Sequence, residues 1–175
     1  MDATIETPLA DFSRCHAGIL AQLQEFSELP TLMTAAAKAR AVAVGTMTLF
    51  EHAVLAHHGD EESELFPAVL RWAKPGEEHD RVKAMVRHLT TEHRRIETLW
   101  KAQRAAVDAG AHGKPADLNK AATFDLVKAY AAHAIFEEQQ FLPLASEILS
   151  RDGDHMASLG MSLHMRHAPL IPGYI

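Results

Sequence analysis

The chain has 175 residues, 47% hydrophobic and 23% charged, with a formal net charge of -6 and one cysteine, Cys15. That mixture describes one globular domain long enough to bury a core, and the acidic balance excludes a surface built to neutralise nucleic-acid phosphates. A lone cysteine excludes an internal disulfide, and neither a signal-like opening nor an apolar run of membrane-spanning length occurs, so a cytoplasmic protein with no nucleic-acid and no membrane partner is expected.

Helical periodicity dominates and Pro and Gly divide the chain. A first helix is expected from about Leu9 to Leu29, stopping at Pro30. A second runs from about Thr34, whose hydroxyl suits an N-cap, through Phe66 and loosely to Trp72. A third starts near Glu77 and reaches about Ala109, ending at Gly110-Ala111-His112-Gly113-Lys114-Pro115. A fourth follows Asp117 and reaches about Ser150. Pro67 and Pro143 should each kink or end a helix. A short helix from about Asp154 to His167 and a tail from Pro169 to Ile175 complete a single domain of residues 1–175, with the bundle over about 9–150 and an appendage over 151–175. The expected architecture is an all-α, antiparallel four-helix bundle.

The apolar stripe of each helix carries an imidazole. Helix one offers Leu9, Phe12, His16, Ile19, Leu23 and Phe26. Helix two offers Phe50, Val54, His57, Glu61 and Leu65, helix three Leu89, His93, Ile96 and Trp100, and helix four Tyr130, His133, Glu137 and Phe141. His52, His58, His79, His88, His112 and His155 fall off the stripes or in loops, and most are expected at the surface. Met161, His164, Met165 and His167 read as an amphipathic segment capping the bundle.

Two segments share a pattern. His57 is followed by Glu61, Glu62 and Pro67, and His133 by Glu137, Glu138 and Pro143, at identical spacings. Residues i and i+4 share a helix face, so each copy aims an imidazole and a carboxylate at one point. Two buried carboxylates repel each other and need compensation. Two divalent cations would provide it, with Glu61 and Glu137 as bridges and His16, His57, His93 and His133 as terminal ligands. His16 lies 41 residues before His57, and His93 lies 40 before His133, as expected of a duplication. Nitrogen and carboxylate ligands suit iron or manganese better than a closed thiolate site.

With His16, His57-x-x-x-Glu61-Glu62, Phe66-Pro67, Glu92-His93, His133-x-x-x-Glu137-Glu138 and Pro143, the chain resembles the hemerythrin-like family of HHE cation-binding domains from about Phe12 to Ile148. The resemblance implies two non-haem irons joined by an oxo or hydroxo bridge and the two glutamates, with an open position for O2, NO or peroxide. Oxygen-carrying members resemble this chain less closely, since Glu97 stands where they place a second helix-three histidine and Glu138 where they place an aspartate. The expected function is therefore sensing, storage or stress defence through O2, NO or peroxide. The alternatives are a non-catalytic iron-responsive module that recruits a partner and a peroxide-consuming enzyme. Relatives that repair iron-sulfur clusters usually carry an extra cysteine-bearing domain, and Cys15 here is expected to pack at the bundle edge. Glu97 is read as a partner of Lys101 one turn on, and Glu62 and Glu138 as candidates for supporting the ligands.

Overall fold

The computed structural model describes residues 8–152, with side chains from Arg14 onward. The expected C-terminal helix and tail, with His155, His164 and His167, lie outside them. Every described element is helical. α1 spans Pro8–Thr48 and passes without interruption through a π-helical turn at Leu49–Val54 into α2, Leu55–Asp60. A second π turn, Glu61–Leu65, leads into α3, Phe66–Trp72, so residues 8–72 form one rod. α4, Glu77–Ala111, is the second rod. The third is α5, Lys120–Phe136, followed by a π turn at Glu137–Phe141 and α6, Leu142–Leu149.

The all-α bundle expected from the sequence is present, but the described residues form three long rods where four helices were expected. Pro30 does not end the first helix; it lies inside α1, which is 41 residues long. Proline removes one backbone donor and crowds the preceding turn, but the residues after it, Thr34-Ala35-Ala36-Ala37-Lys38-Ala39-Arg40, contain four of the strongest helix formers. The Thr34 hydroxyl donates to the Pro30 carbonyl at 3.0 Å, closing the turn behind it. Helix one therefore continues into helix two instead of folding back on it.

Pro67 and Pro143 do not end their helices either. In each copy the residue before the proline donates its N–H five residues back: Phe66 to the Glu61 carbonyl and Leu142 to the Glu137 carbonyl. A widened turn accommodates the ring without breaking the rod, and π turns of this kind favour functional sites. Both begin on the glutamate of the repeat.

The turns between rods follow local chemistry. Gly76 and Gly113 take positive φ, 98° and 68°, which side-chain-bearing residues rarely adopt. Three acids, Glu77, Glu78 and Asp80, occupy the first turn of α4, where the helix dipole favours negative charge. The Asn119 side chain caps α5 by accepting from Ala122 N–H at 3.0 Å.

Two apolar clusters form the core. One gathers Leu65, Phe66, Val69, Leu89, Phe141 and Ile148 from the first rod, α4 and the third rod. The other gathers Phe50, Val54, Ile96, Trp100 and Leu126, with the Phe50 and Trp100 rings stacked at 4.2 Å. Between them in sequence along each rod lies a layer of buried polar residues.

Candidate metal centre

That layer consists of His58, Glu61, His93, His133 and Glu137, exposed by 1, 2, 0, 1 and 7%. α2 supplies His58, α4 supplies His93, and α5 supplies His133. The two glutamates start the matched π turns. Ligand atoms of His58, His93 and His133 lie within 4.8 Å of one another, as do those of His57, Glu61 and Glu137. Glu61 joins the two groups: its Oε1 is 3.3 Å from His57 Nε2 and its Oε2 is 3.3 Å from His93 Nε2.

The imidazoles are held from outside. His93 Nδ1 donates to Glu62 at 2.8 Å, and His133 Nδ1 to Glu92 at 3.4 Å. His58 Nδ1 stands 3.9 Å from Glu97. Arg94 pairs with both Glu62 and Glu97, tying two of these carboxylates together. Carboxylates behind ligating histidines fix the ring orientation and turn the other nitrogen inward. The inward atoms, Nε2 of His58, His93 and His133 and both Glu61 oxygens, are buried without a hydrogen bond of normal geometry. Leaving such atoms unmatched costs about 1–3 kcal/mol each. Converging lone pairs on two carboxylates and several neutral imidazoles are the donor set a pair of hard-to-borderline cations requires, so the residues fit a metal.

Electrostatics point the same way. Burial pushes the Glu137 carboxyl up to about 9, assisted by its polar contact with Glu61 and that neighbour's charge. Burial also opposes ionisation of Glu61, but the approach of His93 and Glu137 as donors and the nearby imidazoles outweigh it and bring its pKa to about 2. The two carboxyls thus share one proton. Burial and the charges of His93 and His133 lower His58 to about 3, and burial foremost lowers His133. His93 is raised, because its contacts with Glu61 and Glu62 overcome burial.

A pH dependence follows. An unfolded glutamate loses its proton near 4.5, whereas folded Glu137 keeps it to about 9, so its stabilising contribution to the metal-free chain is complete below 4.5 and lost as pH rises through 9. His58 acts oppositely: its contribution is present above 6.5 and lost as pH falls towards 3. A cation must displace the shared carboxyl proton, so metal uptake at neutral pH should release protons and strengthen as pH rises towards 9. Calorimetry in buffers of different ionisation enthalpy checks this. Binding heats that do not depend on the buffer would exclude proton release.

The expected ligands are distributed unevenly. His93, His133, Glu61 and Glu137 lie in the buried layer, and His57 borders it with a half-exposed side chain. His16 is not brought to the cluster; it is exposed on α1, as are Ile19, Leu23 and Phe26 of the same expected core stripe. The cause is the continuity of α1 through Pro30. His58, expected at the surface, is buried and stacked on His93 at 3.9 Å with the rings 5° from parallel. Its signal in the sequence is the spacing Phe50, Val54, His58: the π turn at Leu49–Val54 adds a residue to the turn and moves the inward position from 57 to 58. Glu97 pairs with Arg94 and faces His58. Glu62 supports His93, in line with its reading as a supporting residue, while the support from Glu92 to His133 is a feature of the fold alone. Cys15 is exposed, and Gly59 faces open space, so no packing demand explains it.

A helical bundle with a buried layer of histidines and glutamates, tied back by outer carboxylates, defines a protein of the metal-cation-binding class. The pattern of the hemerythrin HHE cation-binding domain matches residues 7–145, and the chain belongs to that family. It is also similar to an uncharacterized protein of Haemophilus influenzae, 23% identical over 163 residues that cover 89% of this chain and 91% of the other. No solved structure matches it significantly. No described helix is long and apolar enough to cross a membrane.

Proposed function

We propose that this chain is a non-haem diiron protein that binds or reacts with O2, NO or peroxide, in sensing, storage or stress defence. The observation that carries the reading is the pair of ligand groups joined through Glu61. His58, His93 and His133 would hold one iron and His57 and Glu137 the other, with Glu61 shared. Two irons would supply electrons and an open position for a small ligand. The chain's own residues do the rest. Glu62 and Glu92 hold the Nδ1 atoms of His93 and His133 facing outward, Glu97 stands 3.9 Å from the Nδ1 of His58, Arg94 fixes Glu62 and Glu97, and apolar clusters flank the buried layer on either side.

The test is iron loading followed by rapid mixing. Purified protein should hold about two irons per chain. The reduced, loaded form, mixed in turn with O2, NO and peroxide, should change its near-ultraviolet and visible absorption with at least one of them. Failure to take up iron, or zinc that iron cannot displace, would remove the diiron reading. A loaded protein inert to all three ligands would leave only the metal site standing.

A further inference from the structure

From Arg14 to Val42 every residue of α1 is exposed, so this part of the helix stands out from the bundle as an arm. Ile19, Leu23, Phe26 and Leu29 recur at helical spacing and are exposed by 51, 56, 67 and 42%. Contact with α4 begins only near its end, where Arg40 Nε donates to the Ala111 carbonyl at 3.0 Å and the Ala43 Cβ would meet a Cβ on Gly110 at 3.6 Å. The bundle in turn leaves one side open. Val44, Leu49 and Leu55 on the first rod are exposed by 48, 42 and 40%, and Phe124 and Val127 on α5 by 67 and 63%. Among the described residues, an apolar arm and an apolar face are thus both exposed in the same chain.

Register decides what covers them. His93 and His133 come together because their rods fold back about the midpoint between them, Gly113, a glycine at φ 68°. The corresponding midpoint between His16 and His57 is Ala36–Ala37, inside an uninterrupted helix with no Gly, Asn or Asp between Gly18 and Gly45. Folding back at Pro30–Met33 does not repair this. His16 lies 14 residues before Pro30, and His57 lies 23 after Thr34, so at 1.5 Å per residue the two histidines would sit about 14 Å apart along the axis. Two copies of α1 running antiparallel and crossing at Ala36–Ala37 put His16 of each at the level of His57 and His58 of the other. The same register sets Leu29 opposite Val44, Phe26 opposite Met47, Leu23 beside Leu49 and Ile19 beside Leu55 of the second copy. Alanines at the crossing let the backbones approach closely.

We infer that the chain is an arm-exchanged dimer in which α1 of each copy covers the open face of the other and brings His16 to the partner's buried ligand layer. Exchange of an identical element between protomers costs little because the contacts are those a closed chain would make. The ligand role of His16 rests on the metal centre proposed above; the exchange itself does not.

Light scattering on the full chain should give twice the 19.2 kDa of one chain, and a monomer at micromolar concentration overturns the inference. A short bismaleimide applied to a Cys15→Ser, Leu29→Cys, Val44→Cys chain should yield a covalent dimer on a denaturing gel. A monomer cross-linked to itself, or no cross-link, overturns it. Co-refolding His16→Ala with His133→Ala chains then tests the ligand. Exchange rebuilds one intact centre in each mixed dimer, so about one bundle in four should carry wild-type iron content; an iron content no higher than the average of the two variants measured alone overturns the ligand role of His16. A covalent dimer whose wild-type form takes up no iron sinks the diiron reading and spares the exchange. Two irons held by a monomer do the reverse.

Discussion

Glu61→Ala should abolish binding of both cations of the proposed centre. Glu61 is the carboxylate that reaches both ligand groups, at 3.3 Å from His57 and from His93, so its loss removes a donor from each ion and leaves Glu137 without its partner. Changing an outer carboxylate such as Glu62, in Glu62→Gln, should cost roughly 10–100-fold in metal affinity, because His93 loses its anchor but keeps its lone pair. Glu61→Ala must cost more than that. Iron content after dialysis at fixed free metal orders the variants, and His58→Ala belongs with the severe ones. Two irons per chain in Glu61→Ala would show that the buried layer is not the centre. The metal-free Glu61→Ala protein should fold at least as well as the metal-free wild type at neutral pH, since a buried carboxyl pair sharing one proton is removed. That result separates loss of a ligand from loss of the fold.

Phe141→Ala should be the most damaging core substitution. Its ring is fully buried, meets Phe66 edge to face at 5.2 Å, and lies in the π turn that begins on Glu137. Truncating a buried phenylalanine costs about 3–5 kcal/mol, from lost transfer energy and the cavity left behind. The cavity opens directly below the ligand layer, so iron retention should fall with stability. Urea unfolding of the metal-free protein measures the first effect, and iron content the second. A loss below about 1 kcal/mol would mean that the cluster around Phe66 and Val69 collapses to fill the gap.

Most residues of the buried layer are legible in the amino-acid sequence because the code for them is local. His133 and Glu137 share a face of one unbroken helix, and the period of the apolar residues around them sets that face towards the core. His93 lies on an equally regular stripe from Val82 to Trp100 in α4. His58 is harder to read because a π turn earlier in the same rod shifts the phase by one residue. Such turns arise where packing and prolines strain the hydrogen-bond ladder, and the apolar period alone does not register them.

His16 marks the other boundary. Its place on an apolar stripe is legible, yet which surface that stripe meets depends on whether the helix breaks at Pro30. A single proline lacks one donor and introduces one clash, a cost that an alanine-rich continuation can outweigh. Composition and periodicity determined an all-α chain with a duplicated His and Glu pattern and the faces on which those residues stand. The continuation of α1 past Pro30 rests on the local run that follows it, which the apolar period does not register; the rotation of α2 that buries His58 and the outer carboxylates that orient His93 and His133 were decided by tertiary structure, since the partners are far apart in the chain, as His93 and Glu62 are at 31 residues, beyond the reach of any helical period.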